Sequence, residues 1–258
     1  MNLAYREYGR GRPLIILHGL FGSSDNWHSM CKLLGESFRV FALDQRNHGG
    51  SPHNWEMNYH LMAEDLHDFL NQQGLAQAHV LGHSLGGKTA MQFALLFPAG
   101  VEKLIIADVS PRAYPPHHQG ILNAMLALDP GEYETRRRAE AALAPAIPDL
   151  ALRQLLVKNL TRNSQGRFDW KIGLREINQN YCALCEAIRS DRPWQQPALF
   201  IRGEKSQYLN ELDLPLIHTL FPQAQLRTIS RAGHLLQVEN PQAFLNAVLD
   251  FLINSKAP

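Results

Sequence analysis

The sequence predicts an α/β protein in which helices cover both faces of an open, mostly parallel sheet. Two patterns within the 258 residues predict this fold. Five short apolar runs are continuous rather than alternating, which is typical of parallel strands buried on both faces. Between several of these runs, apolar residues recur at helical spacing. The length suits one large domain of this class or two small ones, and the hydrophobic (45%) and charged (19%) fractions are those of an ordinary globular protein.

Each apolar run ends at a residue that signals a loop, so the runs are predicted to be strands. In chain order they are 14–17 before His18, 40–43 before Asp44, 79–81 before Gly82, 104–107 before Asp108, and 198–201 before Arg202. A weaker, alternating strand is predicted over 225–229. The stretch 3–8, which is followed by Gly9-Arg10-Gly11, indicates an edge hairpin.

Three helices are predicted with clear limits. They are 61–71, 84–97 and 241 to about 254. Gly74 lies where the C-cap of the first helix would be, and Pro98 stops the second. Pro241 has the place of a first-turn proline in the third.

One long segment, 111–194, interrupts this alternation of strands and helices. It has no convincing strand, and prolines and glycines separate its helical pieces. Because the segment precedes the penultimate strand, we expect a helical cap or lid over the carboxyl edge of the sheet, on a core made of 1–110 and 195–258. Five apolar cap residues are expected either to line the underside of this lid or to pack against the core; they are Leu122, Met125, Leu126, Leu155 and Leu156.

The charge balance excludes two classes of partner. There are 25 basic and 24 acidic residues, a net charge of +1 with neutral histidines, so neither nucleic acid nor a membrane surface is expected as a partner. Three cysteines are too few for a disulfide framework and indicate a reducing compartment, and Cys182-x-x-Cys185 lacks the second ligand pair of a zinc site. The first residues lack an apolar core, and no apolar run approaches about 20 residues. We therefore expect a cytoplasmic protein with no signal peptide and no transmembrane helix.

The sharpest chemical signal is Gly82-His83-Ser84-Leu85-Gly86, which fits G-x-S-x-G between a buried strand and a helix. Small residues two positions before and after the serine let neighbouring backbone approach a tight, strained turn. The turn lifts the hydroxyl above the sheet, and the helix N-terminus favours developing negative charge. We predict that Ser84 is a nucleophile; the alternative is a glycine-rich turn with an idle serine.

A serine nucleophile needs a base and an acid that orients it. His234 lies after the last predicted strand and before the last helix, in the chain order Ser…His that this turn requires. The acid commonly follows the penultimate strand, but there the chain has Ser206. Asp108 leaves the preceding strand and is the predicted acid. Glu204 and Glu211 stay open as alternatives, as does a capping role for Asp108.

The loop after the first buried strand is predicted to complete the site. In this architecture it provides one backbone amide to an oxyanion hole, and the residue after the nucleophile provides another. The predicted donors are Leu20 and Leu85. Two aromatic residues, Phe21 and Trp27, are predicted to wall an acyl pocket, with plain core packing as the alternative.

With these features, the chain resembles the α/β-hydrolase superfamily over nearly its whole length. The segment Asp44-Gln45-Arg46-Asn47-His48-Gly49 resembles the D-x-R-N-H-G motif of a small bacterial esterase family, whose G-H-S-x-G-G-K motif is similar to 82–88. Members of that family hydrolyse short acyl esters and acyl-CoA thioesters. The resemblance implies an α/β-hydrolase fold with a helical cap, and it supports Asp108 over Glu204 as the acid.

The expected function is therefore that of a serine carboxylesterase for short- to medium-chain acyl esters, with acyl-CoA thioesters as a second substrate class. No metal or organic cofactor is expected, and the chain is expected to be a monomer or a small homo-oligomer. The alternatives are a lyase, a carbon–carbon hydrolase or a perhydrolase with the same three residues. A non-catalytic small-molecule receptor is a further alternative from a different class.

Overall fold

The computed structural model describes residues 1–254 and contains a central sheet of seven strands. Its strands are β1 (Tyr5–Tyr8), β2 (Pro13–Leu17), β3 (Arg39–Leu43), β4 (Ala78–His83), β5 (Val101–Ala107), β8 (Ala198–Gly203) and β9 (Ala224–Ile229). They lie in the order β1-β3-β2-β4-β5-β8-β9, and every pair is parallel except β1 with β3. The predicted open, mostly parallel sheet is confirmed.

The five continuous apolar runs form β2, β3, β4, β5 and β8, and nearly all their residues are buried. The alternating stretch forms β9, at one edge of the sheet. The predicted edge hairpin is wrong, because β1 pairs with β3 rather than with β2. Both edges of β2 are occupied by the parallel partners β3 and β4, so β1 pairs instead with the far edge of β3.

Helices cover both faces of this sheet. Those of the core are α1 (His28–Leu34), α2 (Tyr59–Gln72), α3 (Leu85–Leu96), α9 (Leu214–Leu220), α10 (Leu236–Glu239) and α11 (Pro241–Leu249), and a π-helical turn follows at Asp250–Asn254. Buried residues of α2 and α3 belong to one apolar cluster, and those of α1 and α11 belong to the other. Within residues 1–254, no helix has both the length and the apolar character needed to cross a membrane.

The segment 111–194 contains five short helices and a small hairpin. The helices are α4 (Gln119–Ala127), α5 (Arg136–Leu143), α6 (Leu150–Leu156), α7 (Leu174–Gln179) and α8 (Tyr181–Cys185). The hairpin pairs β6 (Leu160–Arg162) with β7 (Phe168–Trp170), which the sequence did not predict. Each of its strands is three residues long, too short for an alternating pattern to be recognised.

Hydrogen bonds that involve backbone carbonyls attach this segment to the core. The Tyr59 hydroxyl donates to the Leu184 carbonyl at 2.7 Å, and the Lys88 ammonium donates to the Glu186 carbonyl. On another side, the His53 Nε2 donates to the Lys171 carbonyl at 3.1 Å. In these three bonds, core side chains hold the backbone of the segment.

Candidate active site

Ser84 lies on the turn between β4 and α3, in a backbone conformation that side chains rarely adopt. Its φ is 52° and its ψ is −115°. Glycines on either side make room for this turn: a Cβ at Gly82 would collide with the Gly86 carbonyl, and one at Gly86 would collide with the Leu17 carbonyl. The turn therefore places the Ser84 hydroxyl at the carboxyl edge of the sheet, at the N-terminus of α3.

His234 lies between Ser84 and Asp108 and contacts both. Its Nε2 is 3.1 Å from the Ser84 Oγ, and its Nδ1 is 2.7 Å from the Asp108 Oδ2. Because the carboxylate can only accept, Nδ1 carries the proton and Nε2 is left to accept from the serine. The three side chains come from loops at the ends of three different strands, β4, β5 and β9.

Asp108 is completely buried, and its carboxylate has two further donors. The Gly203 amide donates to Oδ1 at 3.0 Å, and the Ser206 hydroxyl donates to Oδ2. Position 206 is the one where the sequence has serine in place of the more common acid. No sequence pattern around Ser206 indicates its contact with Asp108.

The alternative acids lie elsewhere. Glu204 accepts a hydrogen bond from the Arg231 amide at 2.8 Å, and Glu211 lies 3.2 Å from the guanidinium of Arg202. Neither carboxylate is within hydrogen-bond distance of His234 among the described residues. The structure therefore places Asp108, and not Glu204 or Glu211, beside the imidazole.

The two residues predicted to donate to the oxyanion line the same cavity as the serine. Leu85 is the first residue of α3, so its amide has no partner inside the helix. Leu20 follows β2 in a loop, and both residues line the same cavity as Ser84. The loop approaches the serine closely, because a Cβ at Gly19 would lie 3.3 Å from the Ser84 Cβ.

The segment 44–49 supports this loop. The Asp44 carboxylate accepts from the Ser24 amide at 2.6 Å and from the Gly50 amide at 2.7 Å. Burial opposes its ionisation, but these amide hydrogen bonds and the charge of His18 hold the pKa of Asp44 below its ordinary value. The Gln45 side chain donates to the His18 carbonyl at 2.7 Å, next to the oxyanion loop. The segment thus has a positioning role and does not face the reacting atoms.

A cavity opens above the serine, with an empty volume of about 440 Å³ including its mouth. Its core walls are Leu20, Tyr59, Ser84, Leu85, Lys88 and Val109. Its other walls include Tyr114, His117, His118, Tyr181, Leu184 and Cys185 from 111–194, and Tyr208 from the loop after β8. Most of these surfaces are apolar, as is typical of a small-molecule site.

Several residues predicted to line this cavity do not. Trp27 packs against Phe244 in the apolar cluster on the opposite face of the sheet, with ring centroids 6.0 Å apart. Phe21 is buried, and its ring lies nearly perpendicular to that of His118, with ring centroids 6.1 Å apart. None of the five apolar residues named for the lid is among the cavity walls; Leu122, Met125 and Leu156 are buried in the core cluster instead.

Polar groups that the sequence analysis missed surround the base. The Tyr208 ring stacks on the His234 imidazole, with centroids 3.9 Å apart and an interplanar angle of 21°. The Tyr208 hydroxyl lies 2.7 Å from the His117 Nε2 and 3.2 Å from the His118 Nε2. Burial, with smaller contributions from the charges of His117 and His234, lowers the pKa of His118 to about 4. Only chain folding brings these residues together, and no local pattern indicates it.

Beneath the base lies a second imidazole. The His83 Nε2 donates to the His234 carbonyl at 2.8 Å, which fixes the backbone that carries the base. Burial lowers the pKa of His83 to about 3, with a smaller contribution from the charge of His234. His83 therefore stays neutral and positions His234 without exchanging protons at neutral pH.

The chain is similar to known hydrolases over nearly its whole length. A family model described as "alpha/beta hydrolase fold" matches residues 12–241. The chain is 37% identical over 247 residues to the sn-1-specific diacylglycerol lipase ABHD11 of Mus musculus, with 93% of this chain and 80% of the relative covered. It is 33% identical over 243 residues to the esterase YbfF of Escherichia coli, with 93% and 92% covered.

A solved structure agrees with the fold in detail. The "Marine microorganism esterase" superposes with a TM-score of 0.94 at 44% identity, covering 96% of this chain and 98% of that one. Similarity at this level extends over the sheet, its helices and the inserted segment together.

Proposed function

The chain belongs to the α/β-hydrolase family and is an ester hydrolase, and we propose that it acts as a serine carboxylesterase with Ser84 as nucleophile. His234 is the general base and then the general acid, and Asp108 orients it. One observation carries the proposal: an unbroken hydrogen-bonded chain runs from the Ser84 hydroxyl through the imidazole to a buried carboxylate. This arrangement suits proton transfer from serine to histidine during nucleophilic attack.

The proposed reaction has two halves. His234 Nε2 takes the Ser84 proton as Oγ attacks the acyl carbonyl, and the Leu20 and Leu85 amides bind the resulting oxyanion. The intermediate collapses, and Nε2 gives its proton to the departing alkoxide or thiolate. Water then attacks the acyl-enzyme with the same base, which releases the carboxylic acid and restores Ser84.

We also propose the substrate range and the role of 111–194. This segment is the cap, since its residues form walls of the cavity above the serine. The largely apolar walls of the cavity suit short- to medium-chain acyl groups. Acyl-CoA thioesters are a second substrate class, because the same chemistry cleaves them with an even better leaving group.

A labelling and turnover experiment tests the nucleophile. The wild type is expected to react covalently with a fluorophosphonate and to hydrolyse p-nitrophenyl esters and acyl-CoAs. Ser84→Ala is expected to abolish labelling and to lower kcat by about 10⁴-fold or more with the fold intact. Ser164→Ala, in the exposed hairpin turn, is the matched control and is expected to behave as wild type.

Two outcomes contradict the proposal. Near-wild-type turnover by folded Ser84→Ala would show that another group performs the attack. Labelling of Ser84 without turnover of any ester or thioester would favour a non-catalytic receptor.

A further inference from the structure

A lysine lies inside the cavity, close to the proposed nucleophile. Lys88 follows Ser84 by four residues in α3, so the two lie on the same side of the helix, about 6 Å apart along its axis. Both line the cavity, and Lys88 is only 2% exposed. Lysine is almost never buried to this extent without a charged partner.

The partners of this ammonium do not neutralise it. Its Nζ donates to the Glu186 carbonyl and lies 5.0 Å and 5.5 Å from the ring centroids of Tyr114 and Tyr59. Among residues 1–254, no carboxylate lies within ion-pair distance of Lys88. The carboxylate of Glu186 belongs to an exposed residue. An ammonium has three donors, so Lys88 keeps hydrogen-bonding capacity for a further acceptor.

Attachment of the cap does not account for the charge. A neutral hydroxyl is enough to hold a cap carbonyl, as Tyr59 does for Leu184 two residues earlier in the chain. A buried cation is costly unless something balances it. Desolvation lowers the pKa of Lys88 to about 8, so the group still carries its proton at neutral pH.

We propose that Lys88 binds an ionised acid group on the substrate, so that the enzyme selects carboxylic esters carrying a carboxylate a few carbons from the ester bond. The inference rests on the proposed function of Ser84, because the ester must lie at the serine while the acid lies at the ammonium. The carboxylate can belong to the acyl part, as in a hemi-ester of a dicarboxylic acid, or to the alcohol part, as in an ester of a hydroxy acid. The largely apolar walls then hold the carbons between the two groups.

Matched pairs of esters test this selection. The acyl arm compares monoethyl succinate, glutarate and adipate with ethyl butyrate, valerate and hexanoate. The alcohol arm compares the acetate esters of 3-hydroxypropionate and 4-hydroxybutyrate with propyl and butyl acetate. In one arm, the acid-bearing ester is expected to have a kcat/KM at least about tenfold above its uncharged partner.

Variants assign the selection to Lys88. Lys88→Met is expected to lower the acid-to-neutral ratio of kcat/KM at least about tenfold, mainly through KM, while Lys88→Arg retains part of the preference. Lys158→Met removes an exposed cap lysine and is the matched control, expected to leave the ratio unchanged. The proposal is overturned if the wild type shows no acid preference in either arm, or if Lys88→Met keeps the wild-type ratio.

A measurement on the wild type covers the case in which Lys88→Met does not fold. Free glutarate is expected to protect Ser84 from fluorophosphonate at concentrations at least about tenfold lower than valerate does. Equal protection by the two acids contradicts the proposal. Failure of fluorophosphonate labelling in the absence of any acid instead contradicts the proposed function of Ser84, so the two failures are distinguishable.

Discussion

The assignment of the acid can be tested by moving the carboxylate to a neighbouring residue. We expect Asp108→Asn to lower kcat by about 10²- to 10⁴-fold. Adding Ser206→Asp to that variant is expected to restore at least about tenfold, which corresponds to about 1.4 kcal/mol of transition-state stabilisation. The reason is that the Ser206 hydroxyl already contacts the carboxylate oxygen that accepts from His234. A carboxylate on residue 206 would therefore lie beside the same imidazole nitrogen.

The size of the loss follows from the donors around Asp108. Its Oδ1 accepts from the Gly203 amide, and its Oδ2 accepts from Ser206 and His234. Asparagine has one acceptor oxygen, so its NH₂ group must face either the Gly203 amide or the His234 Nδ1. In the second case the proton moves to Nε2, and the imidazole cannot accept from the serine. The φ of 52° at position 108 is tolerated by asparagine, so the loss reflects chemistry rather than misfolding.

The assay is the rate of p-nitrophenyl butyrate hydrolysis at several pH values, with thermal unfolding as the check of folding. Glu204→Gln is the matched control and is expected to cost less than about tenfold, because Glu204 binds backbone away from the imidazole. The reasoning is refuted if folded Asp108→Asn keeps near-wild-type kcat. It is also refuted if the double variant, folded, is no faster than Asp108→Asn alone.

Three further predictions concern the surroundings of the base. Ser206→Ala removes one hydrogen-bond donor to the buried Asp108 carboxylate. The loss is expected to total about 1.5–3 kcal/mol, divided between the free energy of unfolding in urea and the activation free energy of hydrolysis. If neither quantity changes, Ser206 does not stabilise the carboxylate. Tyr208→Leu is expected to lower kcat several-fold to about tenfold by removing the ring stacked on the imidazole, whereas Tyr208→Phe keeps the ring and most of the rate; equal losses would show that the hydroxyl matters instead. His83 and His118 have folded pKa values of about 3 and 4, below the value of about 6.5 in the unfolded chain, so the unfolded chain binds more protons as pH falls below 6.5. The free energy of unfolding should then drop by roughly 1.4 kcal/mol per pH unit for each histidine between about pH 6 and 4. His118→Gln should make this dependence on pH less steep. Urea unfolding of the wild type and the variant at a series of pH values measures the two slopes.

The strands and the proposed reacting groups could be predicted because each is a local signal. Continuous apolar runs identify strands buried on both faces, and parallel strands bring their carboxyl ends to one edge. Ser84 and Asp108 directly follow such ends, and His234 lies in the loop after β9, so the sheet itself brings the three side chains to one edge. The glycines around Ser84 identify its turn without any knowledge of distant contacts.

The remaining features depend on contacts between distant parts of the chain. The pairing of β1 depends on which edge of the sheet is left free, and this is decided by β2, β3 and β4 together. The aromatic side chain of Trp27 indicates that the residue is buried, but it does not indicate on which face of the sheet. The structure places Trp27 on the face opposite the cavity. The stacking of Tyr208 on His234 likewise joins two loops that no sequence pattern connects.

The way in which the cap is attached has a consequence for protein engineering. Three core side chains donate hydrogen bonds to backbone carbonyls of the cap: Tyr59 to Leu184, Lys88 to Glu186 and His53 to Lys171. Every amino acid has this carbonyl, whatever its side chain. Leu184 and its neighbour Cys185 also line the cavity, so their side chains can be exchanged without removing a bond that attaches the cap. Because Leu184 is buried in the apolar cluster, libraries that keep an apolar residue there and vary Cys185 freely should yield many folded variants with altered substrate choice. Because these hydrogen bonds use backbone carbonyls, substrate specificity can be changed at the cavity wall while the bonds that attach the cap remain.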